Sequence, residues 1–350
     1  MPAAAINEQR VEWVDCCKGI CIVLVVYGHV AGGLEASGIL STKSTIAGLR
    51  EWVYLFHIPA FFYLSGLLSG YLAQKSAERP FVEFLRGRLR VLAYPYFLWT
   101  AIIFLSQLAM GPLVNTPPSL HRVLRSLWEP YGVGLWFLYS LFLISVLFNC
   151  LRRWRVPTHF ILLIALIVYV VANENGFLFW TILNASMGYV IFFIIGGCYP
   201  GIIAAPFKDA RWHLLLAGGV GMLTVMTMLQ WAPWNPAGMT GLLKALLGIC
   251  GVVCVAMAMA RKGATAGAPW AVLGTYSLEI YLAHPLWGTA SRAVLLKLGV
   301  HAPVVFVVCG VLLGVFGSLA TALLCKRFDF PYLFRWPARR RPRLQVAPSS

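Results

Sequence analysis

The chain has 350 residues, of which 60% are hydrophobic and only 11% charged, and its mean hydropathy is +0.77. A soluble domain carries about 25% charged residues to cover its surface, so this composition excludes an ordinary soluble enzyme and points to one membrane domain. The formal net charge is +16. The basic residues gather in short connections and in the tail, as topology marking requires, and not among the aromatic residues that would line a nucleic-acid groove. No nucleic-acid partner is expected.

A helix crossing a ~30 Å hydrocarbon core needs about 20 apolar residues. Ten segments answer to that description: 14–32, 52–72, 91–110, 134–151, 157–173, 183–204, 212–231, 239–260, 270–290 and 303–324. The expected fold is therefore all-α and polytopic, with about ten transmembrane helices. The fifth segment is short, and the ninth is interrupted by polar residues. Glu8, Glu12 and Asp15 precede the first apolar run with no clean cleavage site after it, so that run is expected to be a permanent helix and not a signal peptide. Placing the N-terminus in the cytoplasm puts most Lys and Arg on the cytoplasmic side, which predicts that both termini are cytoplasmic. The expected organisation is an N-terminal segment 1–13, a transmembrane domain 14–325 and a basic tail 326–350, which either holds anionic headgroups of the membrane lipids or simply marks topology. Residues 111–133 form the longest outer loop, with an interfacial helix expected near 120–128.

Ionisable side chains inside a bilayer cost at least ~2.5–3.5 kcal/mol at a helix centre, which makes each a functional candidate. In the first segment, Lys18 and His29 are eleven residues apart, about three helical turns. They share a face and stand ~16 Å apart along the axis, with Asp15 near the same face. In the second, His57 precedes Pro59, which bends a helix and frees a carbonyl. His57 is thus either a polar group of the site or a packing histidine bonded to that carbonyl. Ser65-Gly66 permits close helix contact. Before the third segment, Arg86, Arg88 and Arg90 suit a phosphorylated ligand or serve as a positive-inside anchor. In the ninth, Ser277, Tyr281 and His284 share one helical face, with Tyr276 and Glu279 on a neighbouring one. A carboxylate, phenols and an imidazole this close together require a polar cavity. Nine cysteines lie in or beside apolar stretches without a metal-ligand spacing, so they are expected to be packing residues, with no disulfide framework and no metal site.

Taken together, these pieces resemble the acyltransferase-three family of integral membrane acyltransferases, particularly its sugar O-acetylase branch. The resemblance rests on Trp13 to Gly19 with His29, Phe56 to Gly66, the basic stretch before Tyr94-Pro95-Tyr96, Leu135 to Leu138, and Tyr276 to Tyr281 with His284. The family's basic residue and histidine fall on Lys18 and His29, and its basic cluster on Arg86, Arg88 and Arg90. A further position that is often basic is Val91 here. The resemblance implies transfer of an acyl group, usually acetyl from acetyl-CoA, to a hydroxyl of a cell-surface glycan or lipid-linked sugar. It implies no permanently bound cofactor and a location in a bacterial inner membrane. His29, the side-chain type suited to proton transfer near neutral pH, is expected to deprotonate the acceptor or relay the acyl group. Tyr281, His284 and Glu279 are expected to orient it or stabilise the oxyanion. Lys18 and the three arginines are expected to hold the donor. The rival reading is a transporter or flippase, whose buried His, Glu and Tyr would line a polar path.

Overall fold

The structure is a computed structural model that describes residues 3–75, 80–111, 119–125, 134–174, 181–230 and 239–337. Among them are fifteen α-helices: α1 Ala3–Ala36, α2 Thr45–Tyr54, α3 His57–Lys75, α4 Phe81–Arg88, α5 Tyr94–Met110, α6 Leu120–Arg125, α7 Trp136–Arg153, α8 Thr158–Glu174, α9 Thr181–Cys198, α10 Trp212–Gln230, α11 Met239–Lys262, α12 Ala264–Thr275, α13 Ser277–Lys297, α14 Pro303–Leu312 and α15 Ser318–Arg327. No strand occurs among the described residues. The chain is an all-α polytopic membrane protein.

Among the described residues, seven stretches are long and apolar enough to cross a membrane: Glu12–Ala36, Thr45–Leu72, Phe81–Met110, Trp136–Arg153, Trp212–Gln230, Met239–Lys262 and Pro303–Arg327. They cover seven of the ten expected segments. The fifth and sixth correspond to shorter apolar helices, Thr158–Asn173 and Ser186–Cys198. The ninth is not one helix. It is divided at Tyr276 into α12 and α13, so the polar residues of α13 begin a new helix at an angle the preceding one does not fix. The second segment is also divided, into α2 and α3 by a turn at Leu55–Phe56. Pro59 explains the break, because its ring would collide with the carbonyl four residues back, at Leu55. Of the outer loop, α6 and a few flanking positions are described; 112–118 and 126–133 lie outside the described residues. So do tail residues 338–350, and α1 starts at Ala3, upstream of the expected start at 14.

The centre of the bundle is α1, which touches α2, α3, α11, α12, α13 and α14. Its closest partner is α12. A Cβ at Gly19 would lie 1.9 Å from the Trp270 carbonyl oxygen, and one at Gly274 would lie 1.8 Å from that of Asp15. Only glycine allows this backbone approach, and it fixes the α12–α13 break against the Asp15–Lys18 turn. On the periphery, α10 leaves Leu214, Val220 and Met228 exposed, a surface whose natural solvent is lipid.

The helix from α4 to α5 is continuous but widens into a π-turn at Leu89–Ala93, where the Tyr94 N–H donates to the Leu89 carbonyl. Pro95 cannot donate, and its ring crowds the Val91 carbonyl, so the wider turn relieves both. A strap after α15 grips this turn. The Trp336 N–H donates to the Arg90 carbonyl at 3.2 Å, the Tyr94 hydroxyl to the Tyr332 carbonyl at 2.8 Å, and the Trp99 indole to the Leu333 carbonyl at 2.7 Å.

Candidate functional site

A cavity of about 290 Å³ runs beside α1, lined at one end by Lys18 and at the other by His29. Ile22 and Val25 continue the α1 wall, and Ile58, Phe61, Leu64 and Leu68 of α3 face them. The pitch of one helix thus sets both ends of this tunnel, which is the shared face expected for Lys18 and His29. Lys18 Nζ lies 3.0 Å from Asp15 Oδ1, and both side chains are about one-fifth exposed, so the pair sits at the tunnel mouth. His57, Ser277 and Tyr281 also line it. His57 is buried, and its Nδ1 donates to the Val53 carbonyl at 2.5 Å. It therefore satisfies a carbonyl at the end of α2 and borders the tunnel as well.

A second cavity of about 230 Å³ lies beyond His29, lined by His29, His284, Ser106, Gln107, Thr289 and Arg292 among others. His29 borders both cavities. The His29 and His284 rings are 5.0 Å apart between centroids. His284 Nδ1 lies 2.8 Å from the Tyr281 carbonyl and 3.2 Å from that of Ile280. Carbonyls only accept, so Nδ1 carries the proton and Nε2 keeps its lone pair. That Nε2 is buried without a hydrogen-bond partner among the described residues. A buried acceptor left unpaired costs about 1–3 kcal/mol, and its place next to a second imidazole makes His284 a candidate for the site.

Gly134 completes the neck. Its φ of +72° is a left-handed conformation that favours glycine, and a Cβ there would point to within 4.0 Å of His29 Cε1. Its carbonyl accepts from the Tyr281 hydroxyl at 3.0 Å. Tyr281 thus holds the turn that faces His29.

A third, larger cavity of about 710 Å³ adjoins the tunnel at Val91, which lines both. Arg88, Arg152, Arg153 and Arg155 line it, with Glu83 the one acidic side chain. Arg88 donates to Ser69 Oγ at 3.1 Å, and Arg153 to Asn149 Oδ1 at 2.9 Å. Arg155 takes a left-handed backbone with φ of +55°, uncommon for a non-glycine residue. Arg86 is exposed and lines no such cavity, and neither does the Arg90 side chain. At about 100° per residue, positions two apart point to nearly opposite sides of a helix. Arg88 therefore faces the vestibule while Arg86 and Arg90 face away. Of the expected triplet, Arg88 lines this cavity, joined by Arg152 and Arg153 at the end of α7 and Arg155 just beyond it. Their signal was visible as the run Arg152-Arg153-Trp154-Arg155 closing the fourth apolar segment.

Glu279 lines neither the tunnel nor the cavity beyond it. Arg335 of the strap acts on it only as a minor electrostatic influence, with no ion pair between the two, and the neighbouring Tyr276 hydroxyl accepts from Lys326 at 3.4 Å. All nine cysteines are unpaired. No group of three potential metal ligands occurs among the described residues.

The model of the acyltransferase-three family, described as an acyltransferase domain, matches residues 11–323. Nodulation protein NolL of Mesorhizobium japonicum is 26% identical over 154 residues, covering 43% of this chain and 38% of that protein. Nodulation protein NolL of Sinorhizobium fredii is 30% identical over 158 residues, covering 43% and 41%. The chain thus aligns with about two fifths of the length of these curated relatives.

Proposed function

The chain belongs to the acyltransferase-three family, and from that premise we propose that it moves acetyl from acetyl-CoA to a hydroxyl of a cell-surface glycan or lipid-linked sugar. In this reading the membrane is a bacterial inner membrane and both termini are cytoplasmic. The observation that carries it is the position of His29, which borders the tunnel on one side and the His284 cavity on the other.

The vestibule arginines support a cytoplasmic donor carrying phosphates, because guanidinium forks pair with phosphate oxygens. Lys18 adds charge at the tunnel mouth. The apolar tunnel suits the uncharged end of the donor, with its thioester brought to His29. The acceptor hydroxyl approaches from the far cavity, whose Ser106, Gln107 and Thr289 offer hydrogen bonds. His29 takes the hydroxyl proton as the new C–O bond forms to the thioester carbon. The C–S bond then breaks, and the departing CoA sulfur takes the proton from the His29 imidazolium. His284, with its bare Nε2, stabilises and orients His29 through that cycle, and Tyr281 positions the Gly134 turn beside it. Glu279, which lines neither cavity, acts outside the chemistry.

Purified protein supplied with labelled acetyl-CoA and a glycan acceptor tests this. Covalent label is expected on the glycan, and a folded His29→Ala variant is expected to transfer it roughly 10²–10⁴-fold more slowly. Near-normal turnover by that variant removes His29 from the mechanism. Solute flux without acetylation replaces the enzyme with a transporter.

A further inference from the structure

His57 is a buried imidazole that the transfer chemistry leaves unused. It opens α3 and is 1% exposed. Its Nδ1 lies 2.5 Å from the Val53 carbonyl. A carbonyl only accepts, so Nδ1 carries the proton and Nε2, on the far edge of the ring, keeps its lone pair. The Tyr54 ring meets the imidazole edge-on, with centroids 4.7 Å apart, which holds its plane. His57 is thus the tunnel's counterpart of His284. Both rings direct Nδ1 to the carbonyl four residues back, and each lines one of the two cavities that share His29, His57 the tunnel and His284 the cavity beyond. His29 is near enough for its charge to act on His57.

The tunnel wall that continues from His57 is a single helical stripe, formed by Ile58, Phe61, Leu64, Ser65 and Leu68 of α3. Its polar members are His57 and Ser65, about 12 Å apart along the axis, with apolar surface between them. Ser65 both donates and accepts, whereas His57 in this tautomer presents an acceptor only. That restriction reads the donor. The lone pair of Nε2 repels a thioester carbonyl oxygen, and an alkyl chain offers it nothing. The group of acyl-CoA complementary to it near the sulfur is the N–H of the amide two carbons away.

We propose that His57 is a binding residue for the acyl donor, its Nε2 accepting from the amide N–H two carbons from the thioester sulfur, so that the tunnel selects thioesters of an amide-bearing arm. The proposal rests on the acyl-CoA reading above. One directed hydrogen bond close to the sulfur fixes how far the arm enters, and so sets the thioester carbon against His29.

The test is calorimetric binding to the purified full-length protein of two compounds that cannot transfer an acyl group. One is the S-ethyl thioether of CoA; the other is the same molecule with CH2 in place of that N–H. The wild type is expected to bind the first about tenfold more tightly. His57→Phe, which keeps a ring and loses the acceptor, is expected to bind both equally. Equal affinities in the wild type overturn the contact without recourse to any variant, and so does a tenfold preference that survives in His57→Phe. Binding of neither compound overturns it together with the CoA-donor reading. Acetyl transfer from acetyl-CoA to a glycan is measured on the same preparation. Transfer by a wild type that binds both compounds equally removes the His57 contact alone. Selective binding without transfer keeps the contact and removes the transferase reading.

Discussion

The two cavities that meet at His29 are close in size, about 290 and 230 Å³, yet their walls are built for different guests. On the Lys18 side, α1 and α3 contribute Ile22, Val25, Ile58, Phe61 and Leu64. On the other, α5 and α13 contribute Ser106, Gln107, Thr289 and Arg292. An apolar passage next to one with more hydrogen-bonding groups, with a shared imidazole between them, is the geometry the proposed transfer between two dissimilar reactants requires. The electrostatic investment is divided in the same way. Arginines crowd the vestibule beyond Val91, where charge is cheap, while the deep neck holds histidines and a tyrosine.

The comparison breaks most sharply at His284. Replacing it by Phe, which has no acceptor, removes the buried lone pair and is expected to lower kcat roughly 10²-fold with the acetyl-CoA KM unchanged. A fall of less than about threefold would leave only packing for that ring. At the vestibule, Arg152→Ala is expected to raise the acetyl-CoA KM about tenfold, equivalent to ~1.4 kcal/mol, with kcat preserved. The penalty is expected to shrink with a donor lacking the 3′-phosphate, and an equal penalty for both donors would show that the vestibule does not read phosphate. The smallest effect is expected at Glu279→Gln, which touches neither cavity. Its kcat is expected to stay within about twofold, while thermal stability drops by about 1 kcal/mol or less. A kcat loss beyond tenfold would return Glu279 to the chemistry.

Much of this site was legible in the sequence wherever one helix carries the relation. Lys18 and His29 lie on α1, and Ser277, Tyr281 and His284 on α13, so helical spacing alone places them. The same rule, applied strictly, would have separated Arg88 from Arg86 and Arg90. What spacing cannot show is convergence between helices far apart in the chain. Gly134 meets Tyr281 across 147 residues, and Arg152 joins Arg88 across the vestibule. Nor does it show which neighbouring face of α13 meets a cavity, and Glu279 lies on a face that lines neither of the two at His29. The fold behaved similarly. Apolar length revealed where the helices run, but the breaks at Leu55–Phe56 and Tyr276 depend on a proline clash and on close backbone contact with α1.

The strap gives the molecule an order of completion. Trp336 bonds the Arg90 carbonyl, and Tyr332 and Leu333 accept from Tyr94 and Trp99, on the helix whose Val91 and Leu92 wall the tunnel. These clasping residues follow all fifteen described α-helices in the chain. The clasp on the passage wall therefore forms only after those helices have been made. A variant truncated after α15 would keep His29, His284, Arg88, Arg152, Arg153 and Arg155 and still lack these three bonds to the tunnel wall.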